Sequence, residues 1–301
     1  MTLNWDDLRF LLALRRAGSL NATARALKVE ASTVSRRLAS LEATLGAQLA
    51  ARTPEGLVLN EAGIAASDLA ASFDRGIHEL IGRVGGEHLR AEGVVRLATT
   101  ESMAVFLMRG LIPLRQAHPK IQVELVISSG AVDLLRQEAD VALRLFRETN
   151  PALIARKIGH VGWSVFGSTE YLRKAGIDRR SPLDVSAHPV VGYKLPVSRS
   201  VAAMWLAERT PAENIVLAGD SVTTVLNAVV AGMGISALPC FLATQNKELV
   251  RLTDEVVAKS EAYVVIPPDH KDTHRVRLVK EALAGLFERE RNVLSGDVEP
   301  E

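Results

Sequence analysis

Two adjacent arginines, Arg36 and Arg37, lie in the stretch VEASTVSRRLASLEATLG (29–46). A guanidinium stays charged at any physiological pH and binds carboxylates, phosphates or guanine edges in a two-pronged grip. Val34, Leu38, Leu41 and Leu45 recur at spacings of four, three and four, the buried stripe of an amphipathic helix. Arg36 projects almost directly away from that stripe, near Ser32, Thr33 and Ser40, with Ser35 and Arg37 flanking it. The bland alternative is a solvated helix face, and the flanking sequence argues against it.

Further along, Thr99-Thr100-Glu101-Ser102 and Ser128-Ser129-Gly130 each follow an apolar run that reads as a strand. Hydroxyls at a strand end, beside the unpaired backbone N–H groups of a following helix, suit a carboxylate or other small polar ligand. Plain N-capping is the structural alternative for any one of these serines. Arg144 ends a third strand, where it can bind an anion or pair with Glu101. Ser168, Asp220 and Ser221 are corresponding candidates later in the chain.

Catalytic chemistry finds little support. The seven histidines show no H-E-x-x-H spacing, and neither G-x-S-x-G nor G-x-x-x-x-G-K occurs. No metal site or cofactor is expected. Gly232 and Gly234 in GMG read as a helix end packed on a strand rather than a nucleotide cradle. The single cysteine, Cys240, rules out an intrachain disulfide and reads as a buried core thiol. With no run of about 18 apolar residues and no basic-then-apolar leader, neither a membrane span nor a secretion signal is expected, and the cytoplasm is the natural compartment.

The arginines need elements to position them. NWDDLRFLLALRRAG predicts a helix from an N-cap at Asn4 to Gly18, burying Leu8, Leu11 and Leu12. Ser19 caps a second helix with Ala22, Ala26 and Leu27 facing inward, and the arginine helix opens at Ser32. Two short helices with a tight turn, the second exposing small polar residues and arginine, describe a helix-turn-helix. AQLAAR and LVLN around Pro54-Glu55-Gly56 predict a hairpin able to follow a DNA backbone, placing Arg52 and Thr53 beside the nucleic acid. Residues 1–60 hold eight Lys or Arg against five Asp or Glu, a net of +3, while the remainder holds 28 against 30, a net of −2. The excess is modest, so DNA binding needs more than one copy of the unit.

From Trp5 to Gly63 the chain resembles the winged helix-turn-helix of the LysR-type transcriptional regulators. TVSRRLASLEATLGAQL carries the likeness, with Arg52 and LVLNEAG extending it. Glu30-Ala31-Ser32 replaces the family's usual Ser-Gln-Pro, Ala50 an aromatic residue, and Asn60 a threonine, which leaves the operator sequence open. The resemblance implies a regulator of promoter DNA that answers to a small-molecule co-inducer. It also implies self-association as a dimer or tetramer, and RNA polymerase as a further partner. A bilobal enzyme or solute-binding protein with an accessory N-terminal helical domain is the competing reading. It leaves the N-terminal unit unexplained.

The expected organisation is an all-α winged helix-turn-helix over 1–60, a connecting helix and hinge over 61–92, and an α/β effector domain over 93–295. Leu69, Phe73, Leu80 and Val84 form the apolar stripe of the connecting helix, for which a partner chain is the expected cover. From Val94, strands alternate with helices expected at 102–117, 130–138, 199–209, 221–232 and 273–291. The resemblance implies two lobes like those of type 2 periplasmic binding proteins. The first covers 93–161 and 266–295, the second 162–265, with crossings near 161 and 266.

Overall fold

A computed structural model describes residues 3–53, 56–84, 90–128, 132–135, 138–176 and 183–297. The chain forms two compact units, Met1–Glu87 and His88–Glu301.

In the first unit, α1 (Trp5–Ala17) opens at Asn4, whose side chain accepts the Asp6 amide at 3.0 Å, and ends at Gly18. Ser19 caps α2 (Leu20–Leu27) by accepting the Ala22 amide at 3.3 Å. The arginine helix α3 (Ala31–Leu45) starts one residue before Ser32, with Glu30 at the N-cap position and no side-chain cap. Leu8, Leu11, Leu12 and Leu14 pack with Leu38, Leu41 and Leu49 in one buried cluster. Helix α2 faces inward differently from expectation: Thr23 and Ala24 are buried, while Ala26 is exposed. Thr23 can be buried because its hydroxyl donates to the Ser19 carbonyl at 2.7 Å. Leu45, the last residue of α3, is exposed rather than part of the buried stripe.

Strands β1 (Ala50–Thr53) and β2 (Gly56–Leu59) pair antiparallel, Ala50 opposite Leu59 and Thr53 opposite Gly56. Glu42 ties this hairpin to α3, its carboxylate accepting the amides of Leu49 at 2.7 Å and Ala50 at 3.3 Å. Asn60 starts α4 (Glu61–Val84). Its Oδ1 accepts the Gly63 amide at 2.9 Å and its Nδ2 donates to the Gln48 carbonyl at 2.8 Å. Asparagine therefore caps as well as a threonine would. Gly63 cannot be replaced without a shift, because a Cβ there would sit 1.9 Å from the Leu49 carbonyl oxygen. Helix α4 buries Ser67 and Ala70 and exposes Leu69, Phe73 and Ile77. The side chains of Leu80 and Val84, like residues 85–89 of the expected hinge, lie outside the described residues.

The second unit is built on one mixed sheet of nine strands. Strands β3 (Gly93–Thr99), β4 (Ile121–Ile127) and β5 (Val141–Arg144) are parallel, with α5 (Glu101–Ala117) following β3. Two long antiparallel strands, β6 (Ile154–Ser168) and β11 (Ala258–Ile266), join this lobe to the next. The second lobe holds β7 (Val190–Tyr193), β8 (Ile215–Gly219), β9 (Ile235–Pro239) and β10 (Leu249–Arg251). Its helices are α6 (Thr169–Ala175), α7 (Val201–Ala207), α8 (Val222–Val230) and α9 (Cys240–Ala243). Helix α10 (His274–Arg289) returns to the first lobe, where Arg275 donates to the Val94 carbonyl at 3.0 Å. Helix α11 (Arg291–Ser295) lies so close over β6 that a Cβ on Gly162 would come within 2.0 Å of the Ser295 carbonyl oxygen.

Several expectations shift. Around the helix expected at 130–138, residues 132 and 133 have no regular structure, 134 and 135 form a turn and 138 a bend. The return crossing begins before 266: Tyr263, Val264 and Val265 already pair with β5, after a bulge between Ala262 and Tyr263. Strand β10 and helices α6 and α9 are additional, short elements whose patterns carry no readable period. Gly234 has φ +156 and a Cβ there would meet the Pro189 carbonyl oxygen at 2.2 Å, so GMG serves close packing at the α8–β9 turn. Cys240 is fully buried, its thiol donating to the Ser164 hydroxyl at 3.4 Å, and burial pushes that thiol up from its ordinary range.

Candidate nucleic-acid interface and ligand cavity

Helix α2 ends at Lys28, held in the left-handed region (φ 55), and the Val29 amide closes the turn on the Ala24 carbonyl at 3.0 Å. This turn sets α3 across α1. Ser32, Ser35 and Arg36 are exposed on α3, and Thr33 is half-buried. Arg36 has no ion pair among the described residues. Arg37 is committed elsewhere. Its guanidinium pairs with Asp7 at 3.0 Å and Asp6 at 3.8 Å and lies 5.8 Å from the Phe10 ring centroid. It thus pins α3 to α1. Arg52 and Thr53 belong to β1, but their side chains lie outside the described residues.

In the second unit, the ends of β3 and β5 meet the starts of α5, α7 and α8 around a cavity of about 430 Å³. From the first lobe it is lined by Thr99, Thr100, Ser102, Ser128 and Arg144, with Phe146. From the second lobe come Pro196, Val197, Arg199, Ser200 and Val222. Trp163 on β6 and Ser260 on β11 join them, the indole N–H donating to the Ser260 hydroxyl at 3.0 Å. Thr100 stands at the N-cap of α5 without a capping side-chain bond, its hydroxyl 3.3 Å from that of Ser102. The first amides of α5 are therefore left unpaired within the helix. The Thr99 hydroxyl is enclosed and has no hydrogen-bond partner among the described residues.

Arg144 pairs with Glu148, not with Glu101. It also donates to the Val132 carbonyl at 2.8 Å and lies 5.6 Å from the Phe146 ring centroid. Burial pulls this guanidinium below its ordinary value, partly opposed by the Asp133 carboxylate. Among the described residues there is no cluster of His, Cys, Asp and Glu able to hold a metal ion.

Comparison with known proteins decides the family. Residues 5–64 match "Bacterial regulatory helix-turn-helix protein, lysR family", and residues 89–288 match "LysR substrate binding domain". The chain belongs to the LysR family of transcriptional regulators. It is a DNA-binding regulator with an effector-binding domain, not an enzyme. It is 27% identical over 310 residues to the Mau operon transcriptional activator of Paracoccus denitrificans, covering 98% of this chain and 99% of that one. With an HTH-type transcriptional regulator of Xanthomonas campestris it shares 30% identity over 177 residues, 58% of this chain and 52% of the relative. The solved structure of CrgA from Neisseria meningitidis, a LysR-type regulator, matches at a TM-score of 0.56 and 25% identity, covering 96% of this chain and 99% of that one.

Within this LysR-type regulator, five of the hydroxyl and arginine positions read from the sequence do converge: Thr99, Thr100, Ser102, Ser128 and Arg144. Ser129 lies outside the described residues. Ser168 and Ser221 do not line the cavity. Each caps its own helix, Ser168 accepting the Tyr171 amide at 3.2 Å and Ser221 the Thr224 amide at 3.1 Å. Sequence reasoning missed Phe146, Trp163, Arg199, Ser200 and Ser260. Ser200 was within reach of the helix-start rule, since it caps α7 by accepting the Ala203 amide at 3.2 Å, and Arg199 precedes it. Trp163 and Ser260 carried no such signal, because only the pairing of β6 with β11 brings them together. No helix among the described residues is long and apolar enough to cross a membrane.

Proposed function

We propose that this regulator reads its operator with the outer face of α3. Arg36 faces the bases or phosphates, and Ser32, Thr33 and Ser35 flank it. Arg52 and Thr53 of the hairpin would follow the backbone. Paired units hold the operator, joined through the exposed stripe of α4, in which Leu69, Phe73 and Ile77 stand one turn apart. A small-molecule effector with an acidic or other polar group binds in the cavity at Thr99, Thr100, Ser102 and Ser128.

The observation that carries this reading is the division of labour between the two arginines. One is locked onto α1 and the other is free on the exposed face of a helix whose family binds DNA. The full-length chain should protect two half-sites about 10 base pairs, one helical turn, apart on its target DNA. Footprinting on a fragment upstream of its own gene, or on any fragment it retains in a gel shift, measures this. A single isolated patch would overturn the paired-unit reading.

A further inference from the structure

The cavity's charges are unequal in their commitments, and this narrows the ligand. The inference rests on the cavity being the effector site. Two arginines reach its wall, and among the described residues no aspartate or glutamate does. Arg144 is answered from behind by Glu148; both side chains are nearly buried, at 10% and 8% exposure. Glu148 is itself held in place, because its Oε1 accepts the Asn150 amide at 2.8 Å. The pair is therefore a fixed, neutral unit. Arg199 is different: it is exposed, ends a short 3-10 turn before α7, and has no ion pair among the described residues. The wall also carries an apolar share, Leu143, Phe146, Trp163, Val197 and Val222, beside its hydroxyls.

We propose that the cavity selects a monoanion with an apolar body, Arg199 taking its charge while Glu148, by neutralising Arg144, turns dianions away. The ligand's acidic group would also meet the uncapped start of α5 and the enclosed Thr99 hydroxyl. A second negative charge would be desolvated against the apolar wall with no counter-charge left to meet it. A neutral amide would forgo the charge-assisted bond to Arg199.

Matched series of acids test this on the full-length protein by calorimetry and thermal shift. The probes are benzoate, benzamide and isophthalate, with hexanoate, hexanamide and adipate. The monoacids should bind about tenfold or more tighter than the amide or diacid of the same body. Arg199→Leu should remove most of that preference. Glu148→Gln, which keeps an oxygen for the Asn150 amide, should remove the close partner of Arg144, leaving only the exposed Asp133 carboxylate to act on it, and improve diacid binding by up to about tenfold. Diacids or amides that bind wild type as well as monoacids do would overturn the proposal while leaving the cavity as the site. So would an Arg199→Leu protein with unchanged preference. Should no probe bind, the assignment of the cavity fails and the proposal with it. If Glu148→Gln does not fold, Arg199→Leu, at an exposed position, decides alone.

Discussion

Arg36 leaves α3 on its exposed side, while one residue later Arg37 turns back onto Asp7, whose side chain is 4% exposed. A nearly buried carboxylate without its partner is costly, so the two arginines should fail differently. Arg36→Ala should leave stability unchanged and cost about 1–3 kcal/mol of operator affinity if the contact is bidentate to a base. Affinities for operator and random DNA at fixed salt separate the cases: equal losses mean a phosphate contact, and no loss on either removes Arg36 from the interface. Arg37→Met should instead lower unfolding stability by about 1–3 kcal/mol, with part restored in the Asp7→Asn, Arg37→Met double variant. Urea melts of the single and double variants read this. A single variant as stable as wild type but unable to bind DNA would return Arg37 to the DNA contacts.

At the scale of elements, α4 combines two jobs. Its inner side holds the helix-turn-helix, where Arg15 donates to the Ser67 hydroxyl at 2.7 Å and pairs with Asp68. Its outer side leaves Leu69, Phe73 and Ile77 at 58%, 54% and 38% exposure, more apolar surface than a lone helix is expected to show water. Phe73 also packs edge-on against Trp5 with ring centroids 5.3 Å apart, so replacing it disturbs the unit itself. Ile77→Asp is the cleaner probe. It should weaken the proposed dimer sharply, because an unpaired carboxylate would be desolvated in the proposed seam. DNA affinity should fall with it, although no DNA contact is touched. Sedimentation and gel shift on one sample check this; a variant that stays dimeric and binds normally would show that some other surface pairs the units.

At the scale of the whole molecule, two units answer to two ligands, and their coupling is read by blocking one site and measuring the other. Thr100 lines the cavity at the start of α5 and belongs to the second unit. Thr100→Phe should fill part of the cavity and abolish the response to effector while leaving basal DNA binding intact. Gel shift with and without the tightest-binding probe acid measures it. A normal response would place the pocket elsewhere.

How much of this was written in the sequence depends on the range of the interactions. The first unit was legible because its signals are local. Asn4, Ser19 and Gly18 punctuate the helices, Leu8, Leu11 and Leu12 recur at helical spacing, and Pro54-Glu55-Gly56 marks the hairpin turn. Strand ends with hydroxyls also located half of the cavity, because a strand-to-helix junction leaves backbone amides unpaired wherever it occurs. The other half was decided by tertiary structure. Arg37 lies one residue from Arg36, and only the crossing of α3 over α1 sets Asp7 against it. Trp163 and Ser260 are 97 positions apart and meet because β6 and β11 run antiparallel between the lobes. Arg144 and Glu148 are four apart in a segment with no helix, so their pairing could not be read from periodicity. Local propensity and capping act within a turn or two and survive in one dimension. Whether a charge such as that of Arg37 is neutralised is settled only when distant segments meet, as α3 and α1 do.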